Sequence, residues 1–361
     1  MFFKNRIKIV MKIGIVPFYD GLLNNKLFDI TDCNLNADNL ITPYFEIKEK
    51  LKDTYDINTI DKYSDLQDVD CVLFFYLDYK LLLRCIKNGV KKLVYFAWEP
   101  EVVDERHSKK NLKKIESFFD AIMTWNDDIV DNIKYFKINY PYFFDKLISV
   151  CTIEEFNKKK LLVNISGNKF SSHKSELYSE RLKVIRFYEQ GCGDTFELYG
   201  RGWSKGMRTF KGECLRKSDV YRNFKFALCL ENMCNVNGYI TEKIFDCFIS
   251  GVVPVYWGAN NVLNYIPKEC YIDYPKFNNI CELDNFLSSM TYQDYVKYID
   301  NINRYLQSSK KDLFTSSFFC ESMAIVLQKE FCKRGKANIW KLNYYRIYYV
   351  IKGILKKVDV V

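Results

Sequence analysis

Short runs of apolar residues alternate with amphipathic stretches along most of this chain of 361 residues. Apolar runs of about 4–8 residues predict strands that are buried on both faces, and longer stretches with a 3.6-residue period predict helices. Regular alternation of the two is typical of parallel sheets covered by helices. The predicted strands are residues 12–19, 71–77, 91–98, 121–125, 161–166, 195–199, 224–230, 252–257 and 270–273, and the predicted helices are residues 41–51, 79–88, 111–119, 172–189, 241–250 and 294–307.

A polar, lysine-rich stretch at residues 152–160 divides this pattern into two halves of similar size. The length of the chain also fits two domains of about 150 residues each. We therefore predict an α/β protein with two domains that face each other across a cleft. The predicted domains are residues 1–155 and residues 156–330, followed by a basic tail at residues 331–361.

The composition places the chain among ordinary globular proteins, since 48% of its residues are hydrophobic and 27% are charged. Thirteen cysteines without a C-x-x-C motif, together with only His107 and His173, argue against a zinc site. We predict that the cysteines are reduced, mostly buried, small apolar residues of a cytoplasmic protein. No targeting or membrane-spanning segment is visible, and residues 1–10 are predicted to be a dispensable leader.

The positive charge is concentrated at the end of the chain, because +7 of the formal net charge of +9 lies in residues 331–361. The nearly neutral body argues against a nucleic-acid binder. A helical projection of the tail separates an aromatic and aliphatic face from a basic one, so the tail either lies on an anionic membrane surface or packs on the core with its basic side in solvent. The apolar face comprises Trp340, Tyr344, Ile347, Ile351, Ile354, Leu355 and Val358, and the basic side comprises Lys341, Arg346, Lys352, Lys356 and Lys357.

The chemistry-bearing segment is a strand–loop–helix junction after the predicted strand at residues 224–230. Thr241 stands where a helix N-cap is expected, and Glu242 and Lys243 follow it in the first helical turn. A helix N-terminus at the carboxyl end of a parallel strand binds anionic ligands, and Lys243 adds a full positive charge there. The junction therefore predicts a nucleotide-sugar site. Taken singly, Glu242 also fits an acid that favours the helix dipole, and Lys243 fits a solvated surface lysine.

A resemblance to a known family is carried by the segments KFALCLEN, GYITEKIFD and VPVYWGA, and upstream by FELYGRG. These segments resemble the donor-binding signature of the α1,3/4-fucosyltransferases, glycosyltransferase family 10, and FAWEPEVVDERHS resembles their acceptor-side segment. The resemblance implies a GT-B fold: two Rossmann-like domains, with the acceptor site in the first and the GDP-fucose site in the second. It also implies inverting transfer of L-fucose from GDP-β-L-fucose. Residues 233–237 form a longer loop than the family pattern has, and two acids, Glu99 and Glu101, compete for one role in the acceptor segment.

The resemblance further implies roles for individual residues. Glu99 aligns with the catalytic base that takes the acceptor proton, and Glu242 aligns with a carboxylate that faces the fucose ring. No metal or cofactor is expected, because cationic side chains and a helix N-terminus already supply positive charge; Asp127-Asp128 resembles a metal-binding Asp-x-Asp only loosely. The donor-binding residues implied by the resemblance are Arg201, Lys225, Asn232, Tyr239 and Lys243.

The expected partners are GDP-fucose and an oligosaccharide or glycolipid acceptor, with α1,3 transfer to GlcNAc or Glc of a lactosamine- or lactose-like unit. The linkages α1,4 and α1,2 stay open, because acceptor contacts fall in the first half, where the resemblance is faint. Two alternatives are a GT-B glycosyltransferase that uses another nucleotide sugar and a non-catalytic, membrane-associated glycan-binding protein. The absence of a signal-anchor favours a cytoplasmic enzyme of bacterial or large-virus type, peripheral at the inner face of a membrane.

Overall fold

A computed structural model of the chain describes residues 11–191, 195–331 and 339–358, and these fold into two six-stranded parallel sheets covered by helices. Each sheet has its own helices and apolar core, as the alternating sequence pattern predicts. The leader predicted at residues 1–10 lies outside the described residues.

The first sheet has the strand order β2-β1-β3-β4-β5-β6. Its central strands are continuous apolar runs, so alternate residues enter different cores: Leu73 and Phe96 face one, while Phe74 and Tyr95 face the other. The elements are β1 (Met11–Val16), α1 (Thr42–Leu51), β2 (Tyr55–Thr59), β3 (Cys71–Phe74), α2 (Tyr79–Lys87), β4 (Lys92–Ala97), α3 (Lys109–Ile115), β5 (Ala121–Thr124) and β6 (Tyr135–Lys137).

The second sheet has the strand order β12-β11-β10-β7-β8-β9. The chain builds β7, β8 and β9 towards one edge and then returns to the other side of β7 for the remaining strands. The elements are α4 (Ile153–Lys158), β7 (Lys160–Ile165), α5 (Tyr178–Gln190), β8 (Phe196–Tyr199), β9 (Phe210–Gly212), α6 (Lys217–Tyr221), β10 (Phe224–Leu230), α7 (Glu242–Ser250), β11 (Val253–Trp257), β12 (Ile272–Asp273), α8 (Ile280–Ser289) and α9 (Tyr292–Gln307).

The polar stretch predicted as a boundary follows the last strand of the first sheet and contains α4, because Thr152 and Glu155 form a reciprocal capping box that starts a helix there. One local prediction is wrong. The helix predicted at residues 172–189 begins only at Tyr178. The six residues before it form a loop whose backbone pairs with the segment after β10, where Leu177 N–H donates to the carbonyl of Asn232 (3.1 Å).

The last two helices, α10 (Ser316–Gln328) and α11 (Ile339–Val358), return to the first sheet. The prediction that the second domain extends to residue 330 is therefore wrong, since Phe319, Met323 and Val326 of α10 are buried in a core of the first sheet. The tail helix α11 also packs there, through the buried Leu342.

The helix α11 packs on the first domain through a face other than the apolar face of the helical projection. Leu342 and Tyr349 contact the first domain, and Tyr349 stacks on Tyr79 of α2 with ring centroids 5.9 Å apart. Four residues of the apolar face of the projection point outward instead: the exposed fraction of Trp340 is 87%, that of Tyr344 is 62%, and Ile347 and Ile351 are also exposed. The side chains of Ile354, Leu355 and Val358 lie outside the part of the chain that the structure describes.

Within the described residues, no helix is both long enough and apolar enough to span a bilayer. Of the cysteines that the structure describes, seven are buried, as their interpretation as small apolar residues predicts: Cys71, Cys85, Cys229, Cys234, Cys247, Cys270 and Cys320.

Candidate active site between the two sheets

A cavity of about 580 Å³ lies where the carboxyl ends of β7 and β10 meet. These adjacent strands form the point at which the second sheet changes the direction of its connections, and ligands of open α/β sheets bind at such a point. The first sheet contributes to the same cavity, because Glu99, which follows β4, is among its lining residues. The cavity therefore receives side chains from both sheets.

The N-terminus of α7 opens into this cavity, as the sequence predicts. Thr241 is the N-cap, and its side-chain oxygen accepts from the backbone N–H of Lys243. The helix ends at Gly251, whose φ of +67° is the left-handed conformation that glycine adopts without strain. Free N–H groups in the first turn and the positive end of the helix dipole consequently favour an anion at this position.

Glu231, at the end of β10, holds Lys243 in place. Its side chain is fully buried and accepts hydrogen bonds from the backbone N–H of Thr241 (2.9 Å), the Thr241 hydroxyl (2.8 Å) and Lys243 Nζ (3.0 Å). Burial acts to lower the pKa of Lys243, but the charges of Glu231 and Glu242 outweigh it and raise that pKa. Lys243 is therefore charged at neutral pH. Glu231 is a site residue that the strand predicted at residues 224–230 did not identify.

Glu242 lies between two lysines at the edge of the cavity. Its Oε1 is 4.0 Å from Lys243 Nζ and 3.9 Å from Lys217 Nζ. Burial opposes its ionisation, but Lys243 and Lys217 overcome that effect and lower the pKa of Glu242 to about 2. Glu242 is consequently an anion over the whole physiological range.

The backbone before and after Glu99 is held by side chains of the first domain. Trp125 Nε1–H (2.5 Å) and the Tyr140 hydroxyl both donate to the carbonyl of Trp98, and His107 Nδ1–H donates to the carbonyl of Glu99 (2.6 Å). Burial raises the pKa of Glu99, and the charge of Lys243 offsets part of that rise.

Glu101 points elsewhere. Its Oε1 is 3.1 Å from Nε2 of His173, which belongs to the second domain. Of the two acids that the sequence left in competition, Glu99 lines the cavity and Glu101 forms a pair across the cleft.

Three further residues predicted for the donor site line the cavity. Arg201 follows β8, with its side chain 87% exposed and its Nε 3.1 Å from Glu213. Asn232 donates from Nδ2 to the Tyr239 hydroxyl (3.4 Å), and the buried Tyr239 ring packs on Trp125 at 4.7 Å between centroids.

The prediction that Lys225 contacts the donor is wrong. Lys225 lies near the amino end of β10, and five residues of strand, at about 3.3 Å each, separate it from the carboxyl end that opens into the cavity. Its Nζ instead sits over the ring of Phe156, 4.0 Å from the centroid.

The long loop at residues 233–237 and the Asp127-Asp128 pair meet at the contact between the two domains. Asp127 accepts hydrogen bonds from Lys137 Nζ (2.6 Å), Asn261 Nδ2 (2.7 Å) and the Tyr265 hydroxyl (2.8 Å). Gly238, with φ +84°, lies so close that an added Cβ would be 2.3 Å from the carbonyl oxygen of Trp125. The carboxylate of Asp127 thus joins the two domains beside Tyr239. Within the described residues, no group of three or more His, Cys, Asp or Glu side chains is placed to hold a metal ion.

The structure adds three cations that no site prediction assigned. Lys169, Arg181 and Lys217 line the cavity. Arg181, which is buried, donates to the carbonyls of Leu230 (2.6 Å) and Glu231 (3.2 Å) and so braces the end of β10. Lys217 is the first residue of α6, a helix of only five residues in a segment where the hydrophobic pattern carries no signal.

Comparison with known proteins agrees with this architecture. The family model described as glycosyltransferase family 10 (fucosyltransferase), C-terminal part, matches residues 155–341. An α-(1,4)-fucosyltransferase of Arabidopsis thaliana is 40% identical over 68 residues, which are 19% of this chain and 17% of that protein. The α-(1,3)-fucosyltransferase FucT of Helicobacter pylori is 36% identical over 84 residues, 23% of this chain and 15% of that protein. The matched segments thus span less than a fifth of either relative.

A crystal structure of an α1,3-fucosyltransferase with GDP-fucose superimposes with a TM-score of 0.53 at 15% identity, covering 90% of this chain and 92% of the other. This likeness concerns the fold, and together with the two parallel sheets it identifies a GT-B architecture. Because the family model covers more than half of the residues, the chain belongs to glycosyltransferase family 10, the fucosyltransferases.

Proposed function

We propose that this protein transfers L-fucose from GDP-β-L-fucose to a hydroxyl group of an oligosaccharide acceptor, with inversion at the anomeric carbon. The observation that carries the proposal is the meeting of Glu99, from the first domain, with Glu242 and Lys243, at the N-terminus of α7, in one cavity. A base, an anion beside the sugar and a cation for the leaving group are the three parts that a single displacement needs.

Glu99 is proposed as the general base. A base must be ionised at the working pH and still bind a proton well in the transition state, so a pKa raised towards neutrality is favourable. Burial supplies that rise, and the hydrogen bonds to the carbonyls of Trp98 and Glu99 fix the backbone from which the carboxylate projects.

Lys243 and Arg201 are proposed to bind the diphosphate. An ammonium group has three donors, and Lys243 uses two of them on Glu231 and Thr241, which leaves one for a phosphate oxygen. Arg201 pairs with Glu213 at the surface, where such a pair contributes about 0–1 kcal/mol, so a dianionic diphosphate can displace the carboxylate. The N-terminus of α7 adds backbone N–H groups to the same anion site.

Glu242 is proposed to face the fucose ring. Its low pKa keeps it negative while the glycosidic bond to the diphosphate breaks and positive charge develops on the ring. Metal is not needed in this scheme, because the leaving diphosphate is neutralised by side chains and a helix N-terminus.

The test is turnover of GDP-fucose with lactosamine and lactose acceptors, followed by linkage analysis of the product. Fucose α1,3-linked to GlcNAc or Glc supports the full proposal, and an α1,4 or α1,2 product would revise the linkage alone. Turnover only with another nucleotide sugar, such as GDP-mannose, would replace the donor. Binding of acceptor without transfer from any donor would leave a glycan-binding protein.

For the tail we propose peripheral binding to an anionic membrane surface. The outward face of α11 carries Trp340, Tyr344 and Ile347, all exposed, while Leu342 and Tyr349 attach the opposite face to the protein. An aromatic and aliphatic face flanked by basic residues matches the interface of an anionic bilayer. Sedimentation with vesicles containing anionic lipid should capture the full chain, and W340S/Y344S should weaken capture. Equal binding of this variant, or equal binding to neutral vesicles, would contradict the proposal.

A further inference from the structure

A carboxylate of the first domain holds the start of a short helix in the second domain. Asp38 accepts hydrogen bonds from the backbone N–H groups of Lys217 (2.6 Å) and Ser218 (3.3 Å) and from the Ser218 hydroxyl (2.8 Å). The helix α6 has no cap of its own, because the side chain of its N-cap residue, Arg216, forms no capping hydrogen bond. Asp38 therefore supplies from the other domain the cap that this helix lacks.

The loop that carries Asp38 is itself fixed to the first domain. Asn36 accepts from the backbone N–H groups of Ile41 and Thr42 at the start of α1. Asp38 has a φ of +50°, a conformation that is unfavourable for an L-residue and persists where the surroundings hold it. The position of the Asp38 carboxylate thus depends on the first domain, while the groups that it binds belong to the second.

The side chain of Lys217 points from this junction into the candidate active site. Its Nζ is 2.6 Å from Oδ2 of Asp246 and 3.9 Å from Oε1 of Glu242. Glu242 and Asp246 are one turn apart on the same face of α7, so the ammonium group of Lys217 faces both carboxylates. Asp246 is held in turn by the Tyr142 hydroxyl, which donates to Oδ1 at 2.9 Å.

We propose that Lys217 is a positioning residue for Glu242. We further propose that the contact with Asp38 places the Lys217 side chain in the donor pocket only when the two domains are closed on each other. The inference rests on the proposed function, since it assigns Glu242 to the fucose ring. The backbone N–H of Lys217 is bound by the first domain while its side chain orients an acid of the second. Closure of the cleft and completion of the site are consequently one event.

Kinetics test the positioning role. Lys217→Met should lower kcat by about 10–100-fold, because a small displacement of a group that acts in the transition state has a large effect on rate. It should change the Kd of GDP, which lacks the fucose ring, less than about threefold. Lys217→Arg, which retains the charge, should recover much of the loss. A fall in GDP affinity with an unchanged kcat would refute the role assigned to Lys217.

A double-mutant cycle tests the link between the domains. Asp38→Ala should lower kcat in the same direction as Lys217→Met, and the double variant should be no worse than Lys217→Met alone, since both changes act through one contact. Asp78→Ala is the matched control, because Asp78 caps α2 with two backbone hydrogen bonds but lies wholly within the first domain. Additive losses for Asp38 and Lys217, or an equal effect of Asp78→Ala, would overturn the proposal.

Hydrogen exchange of the full chain without substrate separates this inference from the proposed function. In Asp38→Ala the amides of α6 and of the first turn of α7 should exchange about threefold faster or more, while in Asp78→Ala they should not change. Unchanged exchange in Asp38→Ala would refute the domain link even if fucose transfer is confirmed. Faster exchange together with no fucose transfer by the unaltered protein would support the link and reject the proposed function.

Discussion

The replacement Glu99→Gln removes the proposed base while keeping the size of the side chain. General-base catalysis contributes about 10²–10⁴-fold in rate, which corresponds to about 2.7–5.4 kcal/mol at 1.36 kcal/mol for each factor of ten. We expect kcat to fall by that factor. The Kd of GDP-fucose should stay within about threefold, because the proposed diphosphate site consists of Arg201 and Lys243 and does not include Glu99.

The pH dependence of the unaltered enzyme gives the same prediction an independent check. Burial raises the pKa of Glu99, and a base is inactive when protonated, so kcat/KM should fall as the pH drops through a pKa above the usual value of about 4.3. Glu242, with a pKa of about 2, stays ionised over this range and does not contribute to the acid limb. The acid limb should disappear from the residual activity of Glu99→Gln.

Stability should not fall in this variant. An acid whose pKa is raised by folding contributes stability at low pH that is lost as the pH rises through its folded-state pKa, so at neutral pH the ionised Glu99 is unfavourable to folding. Glutamine removes that effect. Thermal unfolding at pH 7 should therefore show an equal or higher melting temperature, which separates lost chemistry from lost structure.

Glu101→Gln is the matched control, two residues along the chain. It removes only the pair with His173, in which both side chains are about one-third exposed, and such pairs contribute about 0–1 kcal/mol. We expect kcat to fall less than about fivefold, measured with radiolabelled GDP-fucose under saturating donor. A collapse of kcat in Glu101→Gln with near-normal turnover in Glu99→Gln would refute the placement of the base.

Four other changes test the rest of the site. Lys243→Ala and Arg201→Ala should each weaken GDP binding by about 10–100-fold, since each removes a charge-assisted contact of about 1.5–3 kcal/mol; unchanged affinity in both folded variants, by calorimetry, would reject the pocket. Activity should survive excess EDTA, and full loss restored by Mn²⁺ would show that a metal takes part. Gly238→Ala should lower the free energy of unfolding by at least about 1 kcal/mol, because Gly238 has a φ of +84° and an added Cβ would lie 2.3 Å from the carbonyl oxygen of Trp125. Gly206→Ala is the control and should not lower it, because a Cβ added there would have no contact below 3.7 Å. Equal stabilities of the two variants would contradict the close approach at Gly238.

The hydrophobic pattern was sufficient to predict every central strand of both sheets. These eight strands are buried on both faces, so each reads as a nearly continuous apolar run. Of the four edge strands, only β12 was predicted. Three edge strands were missed, namely β2, β6 and β9, because an edge strand needs fewer apolar residues and β9 consists of only Phe210–Gly212.

The proposed donor side of the site was also readable, because its parts are local. The N-cap Thr241, the acid Glu242 and the cation Lys243 follow one another at the start of a single helix, and short-range geometry alone brings them to the carboxyl end of a strand. Lys225 was assigned to the donor site because it belongs to the strand that ends there. It lies near the amino end of that strand, away from the cavity.

Only the tertiary structure decided which groups meet across the cleft. Glu99 and Glu101 are equivalent in a strand pattern, and the presence of His173 on the opposite domain is what separates them. Asp127, which resembled a metal ligand, instead binds side chains that lie more than a hundred residues away in the chain. The face on which α11 packs was likewise set by α2 rather than by the periodicity of α11 itself. Local periodicity records how each element is buried, but contacts between elements distant in sequence depend on how two sheets are placed against each other, which no local pattern encodes.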